Sequence, residues 1–133
     1  MNGSCLCGAI AYEVDQLDMP ISGCHCRTCR KAQAASFVPS AGVMRENFRW
    51  LKGEERLSKF ESSVGKFRYF CSVCGSHLIA ERVAQPHIIL RVATLDEDAG
   101  AKVAAHIWRS HDVAWLQDEE DVAHYSEWQP GRT

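Results

Sequence analysis

Apolar and polar residues alternate in short stretches along this chain, and that pattern predicts strands. Ile10, Tyr12 and Val14 fall on alternate positions, so residues 4–14 are expected to form a strand. Residues 20–23 read as a turn. Residues 27–35 (RTCRKAQAA) are rich in helix formers and contain no breaker, which predicts one short helix. Further strands are expected at 36–39, 48–51, 56–61, 66–70, 77–83, 87–93 and 103–108. Gly42, Gly53, Gly65, Gly75, Pro86 and Gly100 separate them. Many short strands with one short helix predict a mostly-β fold of several short, coiled antiparallel sheets. Residues 1–117 are expected to make one domain. Residues 118–133 open on the acidic run D-E-E-D, end in Pro130 and Gly131, and are expected to pack on that domain or trail from it.

Length and composition narrow the class. The 133 residues are 46% hydrophobic and 24% charged, the balance of a globular protein of one domain. Lys plus Arg is 15 and Asp plus Glu is 17, a formal charge of −2, so the basic surplus of a general nucleic-acid binder is missing. No run reaches the roughly 18 apolar residues of a membrane span. No export signal precedes the first strand, and the expected compartment is the cytoplasm, where thiols stay reduced.

The seven cysteines carry the chemical information. They form three tight groups: Cys5 and Cys7; Cys24, Cys26 and Cys29; Cys71 and Cys74. An odd count leaves a thiol over in any disulfide framework, and cysteines two or three residues apart pair poorly with each other. Such spacing does suit a tetrahedral metal with sulfur about 2.3 Å away. Four plus three is the natural division. Cys24, Cys26 and Cys29 can reach one ion locally, leaving Cys5, Cys7, Cys71 and Cys74 as two clips that close a structural four-cysteine zinc site. Gly75 fits the positive-φ turn of such a knuckle. Two zinc ions per chain follow.

A three-cysteine site has an open fourth position, the mark of a catalytic zinc. The alternative is closure by His77, His106 or His111, which makes both sites structural; His25, flanked by two ligands, is expected to point away. Redox exchange through Cys71 and Cys74 is a third reading, but it leaves five cysteines unexplained. At an open site, three thiolates favour a soft fourth ligand, so the expected partner is a small-molecule thiol held as thiolate beside an aldehyde. Arg27, Arg30, Lys31 and Arg68, with Lys66 close to the last, are candidates for holding a thiol's carboxylates, with solvated surface as the competing reading. Alternatively, Arg30 or Arg68 neutralises the thiolates. His77 is a candidate proton relay, against a packing role. Phe37, Phe48, Trp50, Phe70 and Trp108 are expected in the core.

The motifs G-S-C-L-C-G-A-I, G-C-H-C-R-T-C-R-K and S-x-G-x-x-R-x-F-C-x-x-C-G-S-x-L resemble the glutathione-dependent formaldehyde-activating enzyme family, also named for centromere protein V. The third motif runs through Ser63, Gly65, Arg68, Phe70, Cys71, Cys74, Gly75, Ser76 and Leu78. Thr94 to Asp96, then H-I-W and Trp115, extend the resemblance over residues 2–116. It implies a zinc-stapled β fold like that of small Rab-exchange-factor zinc proteins, with a structural zinc on Cys5, Cys7, Cys71 and Cys74 and a second on Cys24, Cys26 and Cys29. It also implies glutathione as co-substrate and a carbon–sulfur lyase activity that joins glutathione to formaldehyde. Ala34 stands where a glycine is expected after the triplet. The competing function is a non-catalytic zinc module that binds protein or nucleic acid.

Overall fold

Tyr12 and Val14 are fully buried in β2 (Ala11–Val14) while Ala11 and Glu13 stay partly open, so the period of two builds a half-buried strand. The computed structural model describes residues 1–116 and 119–132. β2 lies between β1 (Asn2–Ser4) and β5 (Phe48–Lys52) in an antiparallel sheet of three strands. Tyr12 is its pivot: the ring stacks on Phe48 (centroids 5.4 Å apart), meets the edge of Trp50 (6.3 Å), and its hydroxyl lies 2.8 Å from Thr94 Oγ1.

The second sheet has seven strands. In chain order they are β3 (Ile21–Cys24), β4 (Val38–Met44), β6 (Leu57–Ser63), β7 (Lys66–Cys71), β8 (His77–Arg82), β9 (His87–Arg91) and β10 (Val103–Ile107). Their spatial order is β10-β3-β4-β9-β8-β7-β6. Every ladder is antiparallel except the last one made, in which β10 runs parallel to β3 and pairs Ala105 with Ser22 and Ile107 with Cys24. Ile10, Tyr12, Val14, Val43, Leu78, Ile79, Ile88 and Leu90 form the core. The mostly-β class with one helix is as expected.

Three details differ from the sequence pattern. The strand expected at 36–39 is β4, which runs on to Met44 through Gly42, expected as a separator but paired with Ile89 inside the ladder. The expected strand 4–14 is interrupted: residues 5–10 leave the sheet in a tight turn with Gly8 at φ 79°. The expected turn at 20–23 is instead the strand β3, whose Gly23 and Ser22 give it little apolar signature. α1 (Arg27–Gln33) follows directly, with Cys26 as N-cap. Its C-cap is Ala34 in the left-handed region (φ 49°, ψ 46°), and the next N–H, of Ala35, turns back to the Arg30 carbonyl at 3.2 Å. Glycine is the usual residue there because a Cβ costs energy in that conformation.

Glu119–Asp121 form a single 3-10 turn within the expected acidic segment. The expected boundary at 117/118 lies outside the described residues. Among the described residues, no helix is long and apolar enough to cross a membrane.

Candidate metal centres

The interrupted first strand places Cys5 and Cys7 against the β7–β8 turn that carries Cys71 and Cys74. All four sulfurs lie within 4.8 Å of one another, and this set can hold a metal ion. Cys5 and Cys7 Sγ are 3.6 Å apart, and Cys7 and Cys71 Sγ are 3.9 Å apart. A tetrahedron with zinc–sulfur bonds of about 2.3 Å has edges of about 3.8 Å, so the spacing fits zinc. The backbone is arranged for thiolates. Ile10 N–H donates to Cys5 Sγ at 3.3 Å and Val73 N–H to Cys71 Sγ at 3.4 Å. Gly75 at φ 79° makes the turn that returns its N–H to the Cys71 carbonyl at 2.8 Å. The Ser76 hydroxyl, 3.2 Å from Cys74 Sγ, is the largest influence pulling that thiol down to about 5.

The second cluster comes from the β3–α1 junction. Cys24 ends β3, Cys26 caps α1 and Cys29 sits in its first turn, with the three sulfurs again within 4.8 Å of one another. Cys26 Sγ accepts the Cys29 N–H at 3.3 Å. Arg68, only 3% exposed, reaches across from β7 and directs Nη1 and Nη2 at Cys29 Sγ (3.8 and 3.9 Å) while Nε donates to Ser62 Oγ at 2.9 Å. Burial first, and then the neighbouring sulfurs, push the Cys24 thiol up to about 12. The Cys26 thiol is pulled down against its burial by the Cys29 N–H, the neighbouring thiols and Arg68. Crowded thiols cannot all ionise unless a cation joins them, and an all-sulfur donor set is one that zinc fits. Among the described residues, no histidine nitrogen or carboxylate oxygen lies within this group.

A cleft of about 580 Å³ opens at this second cluster and is lined by Cys24, Cys26 and Cys29. Its floor is the outer face of the large sheet, where Ser22, Ser40 and Arg91 line it in register across β3, β4 and β9, and Ile89 lies opposite Gly42 beside them. Trp108 stands at its wall, 55% exposed and left-handed at φ 60°, ψ 35°. It was expected in the core; the turn that follows β10 holds it out instead. Phe37, Phe48, Trp50 and Phe70 are partly buried, Phe37 against His25 and Phe70 against His77.

The other expected site residues separate. Arg27 and Lys31 are exposed on α1, and Arg30 Nε donates to the His25 carbonyl at 3.2 Å; none of the three lines the cleft. Arg68 is engaged by Cys29 and Ser62. His77 is half-buried, stacks on Phe70 at 5.4 Å and stands outside the cleft lining. Burial, then Arg91 and Arg68, hold its imidazole below the ordinary value. His25 is buried and turned away from the sulfurs towards His106 and Asp112. His111 accepts the Arg27 N–H at 3.2 Å through Nδ1.

Lys66 does line the cleft, and beside it stands a cation that the sequence reading missed, Arg91. Arg91 ends the strand H-I-I-L-R, in which Ile88 and Leu90 face the core and His87, Ile89 and Arg91 face the cleft. A charged residue closing an apolar strand was the available signal.

Residues 1–111 match the family described as "Glutathione-dependent formaldehyde-activating enzyme", a match that takes in both sulfur clusters and the Arg109–His111 turn. The chain belongs to that family. Among solved structures, a Rhodobacter sphaeroides protein superposes with a TM-score of 0.66 at 25% identity, over 80% of this chain and 99% of that one. For a member of the glutathione-dependent formaldehyde-activating family, the two sulfur clusters are compatible with two zinc sites, and the family's chemistry concerns a small thiol and a small aldehyde.

Proposed function

We propose that this protein joins a thiol to formaldehyde or a related aldehyde at the Cys24–Cys26–Cys29 cluster, in the manner of a carbon–sulfur lyase. The observation that carries this reading is the cleft that opens on those three sulfurs while Cys5, Cys7, Cys71 and Cys74 gather elsewhere as a closed set of four. A zinc ion there would supply a soft Lewis acid able to lower a thiol's pKa from near 8.5. Cys24, Cys26 and Cys29 would hold it, and Arg68 would neutralise part of the charge the three thiolates bring. The four-cysteine cluster ties the first turn to the β7–β8 turn and serves the fold.

In the addition, the substrate sulfur attacks the carbonyl carbon. A carbon–sulfur bond forms, the carbonyl π pair moves to oxygen, and the proton lost by the thiol returns to that oxygen from water. No redox partner is needed. The chain's residues hold the thiol beside the sheet floor and leave the aldehyde an approach past Trp108. With glutathione and formaldehyde the product is S-hydroxymethylglutathione.

The test is zinc-edge absorption on the zinc-loaded protein with and without glutathione, alongside proton NMR of the adduct formed with formaldehyde. A rise in sulfur coordination of the second zinc and faster approach to adduct equilibrium are expected. An unchanged edge with uncatalysed kinetics overturns the reading.

A further inference from the structure

Arg91 is 4% exposed, and its guanidinium is half used. Nη1 donates to Ser40 Oγ at 2.7 Å, while Nε and Nη2 find no partner. Unpaired donors on a buried cation are expensive, so such a group is kept for something that binds it. Nε and Nη2 lie on the same edge of the guanidinium plane, the edge that receives the two oxygens of a carboxylate side by side.

Lys66 lines the same cleft, half-buried at the start of β7, and makes no ion pair among the described residues. Counting charge separates the possible roles. Three thiolates around a dication leave a formal −1, and Arg68 already answers it at Cys29. Arg91 also feels the charge of all three sulfurs and Lys66 that of Cys29, yet against a formal −1 the three cations leave positive charge over in a cleft where no described lining residue is acidic. The rest of the wall is largely apolar: Met19, Ala41, Ile89, Ile107 and Trp108.

We propose that Arg91 and Lys66 read a carboxylate on the thiol substrate, making the protein selective for small acidic thiols over neutral ones of the same length. The proposal rests on the thiol reading above and adds the substrate's charge. Arg91 takes the carboxylate through Nε and Nη2, Lys66 adds a second positive charge, and the apolar wall covers the carbon chain between carboxylate and sulfur. The cations act by specificity and leave the bond-forming atoms to the sulfur cluster.

Isothermal titration of the zinc-loaded protein with 3-mercaptopropionate and with the neutral 3-mercapto-1-propanol decides the matter. Wild type should bind the acid at least about tenfold tighter, because a bidentate charged pair in a buried site is worth that factor. Arg91→Met should bring the two affinities within about twofold, with zinc content and circular dichroism confirming the fold. If Arg91→Met does not fold, Lys66→Met provides the same reading, with a several-fold fall in the ratio. Equal wild-type affinities overturn the proposal and leave the thiol reading standing. Loss of both thiols alike in Arg91→Met also overturns it, since a merely structural arginine would do that. Binding of neither thiol to wild type sinks both.

Discussion

His25 Nε2 lies 2.9 Å from His106 Nδ1, joining residues 81 positions apart across the β3–β10 pair. The other nitrogen of His25 is 2.5 Å from Asp112 Oδ1, and Arg109 Nε holds Asp112 Oδ2 at 2.7 Å. His25 N–H donates to the Ile107 carbonyl at 3.0 Å, and its ring stacks on Phe37 at 5.0 Å. The residue between two of the three clustered cysteines is therefore pinned from the far side by β10 and the turn after it. His106→Ala should leave His25 Nε2 buried and unpaired, costing about 1–3 kcal/mol of stability. It should also weaken zinc at the neighbouring triplet, by loosening the segment between Cys24 and Cys26, while the four-cysteine site keeps its metal. Chelator titration with metal counting checks this; equal loss from both sites would refute it.

The two clusters should respond differently to loss of one sulfur. Wild type is expected to hold about two zinc per chain. Cys26→Ser should lose about one and stay folded, because that cluster is local to one junction. Cys74→Ser opens a clasp between segments far apart in sequence and should lower the melting temperature steeply or cause precipitation. Metal analysis and thermal melts of the two variants measure the contrast directly.

Ala34 is an alanine in a glycine's conformation. Ala34→Gly removes the Cβ penalty of the left-handed region, partly offset by the greater entropy of glycine in the unfolded chain. A net gain of about 1 kcal/mol is expected, seen as a rise in melting temperature of about 3–5 °C. A fall in melting temperature would show that the αL cap does not govern the end of α1.

Acid should loosen the loop between β2 and β3, which Asp18 ties to the segment joining β4 to β5. Asp18 accepts hydrogen bonds from Gln16 Nε2 (2.6 Å), Met44 N–H (2.7 Å) and Asn47 Nδ2 (3.1 Å). These donors, Gln16 first, hold its carboxyl below the ordinary value of about 3.9. A depressed carboxyl binds fewer protons folded than unfolded. Its contribution is complete above the unfolded value and is lost as pH falls through the folded one. Urea midpoints should fall between about pH 5 and pH 3, and Asp18→Asn should flatten that slope.

Much of the candidate chemistry was legible because cysteine grouping is local: spacings of two and three residues declare clusters before any fold is known. The strands from Phe48 to Arg91 were legible for the same reason, each bounded by its own glycine or proline. What stayed hidden depends on contacts distant in sequence. β3 has too few apolar residues to announce itself and becomes a strand by pairing with β4 on one side and β10 on the other. Arg91 was not singled out within its strand, and its role emerges only with Ser40, 51 residues away, placed beside it. Trp108 read as core because its size suggests burial, whereas its left-handed backbone holds it at the rim of the cleft.

The parallel pairing of β10 with β3 sets an order of assembly during synthesis. A growing chain can gather its four-sulfur knot once Cys74 has emerged, and most of the large sheet can zip up with it. The second sulfur group gathers locally at the β3–α1 junction, but the His106 support behind it and the Trp108 wall of its cleft come about thirty residues after Cys74. Ribosomal products that stop short of β10 would thus carry both sulfur groups on a frame whose β3 edge is still unpaired and whose cleft lacks a wall.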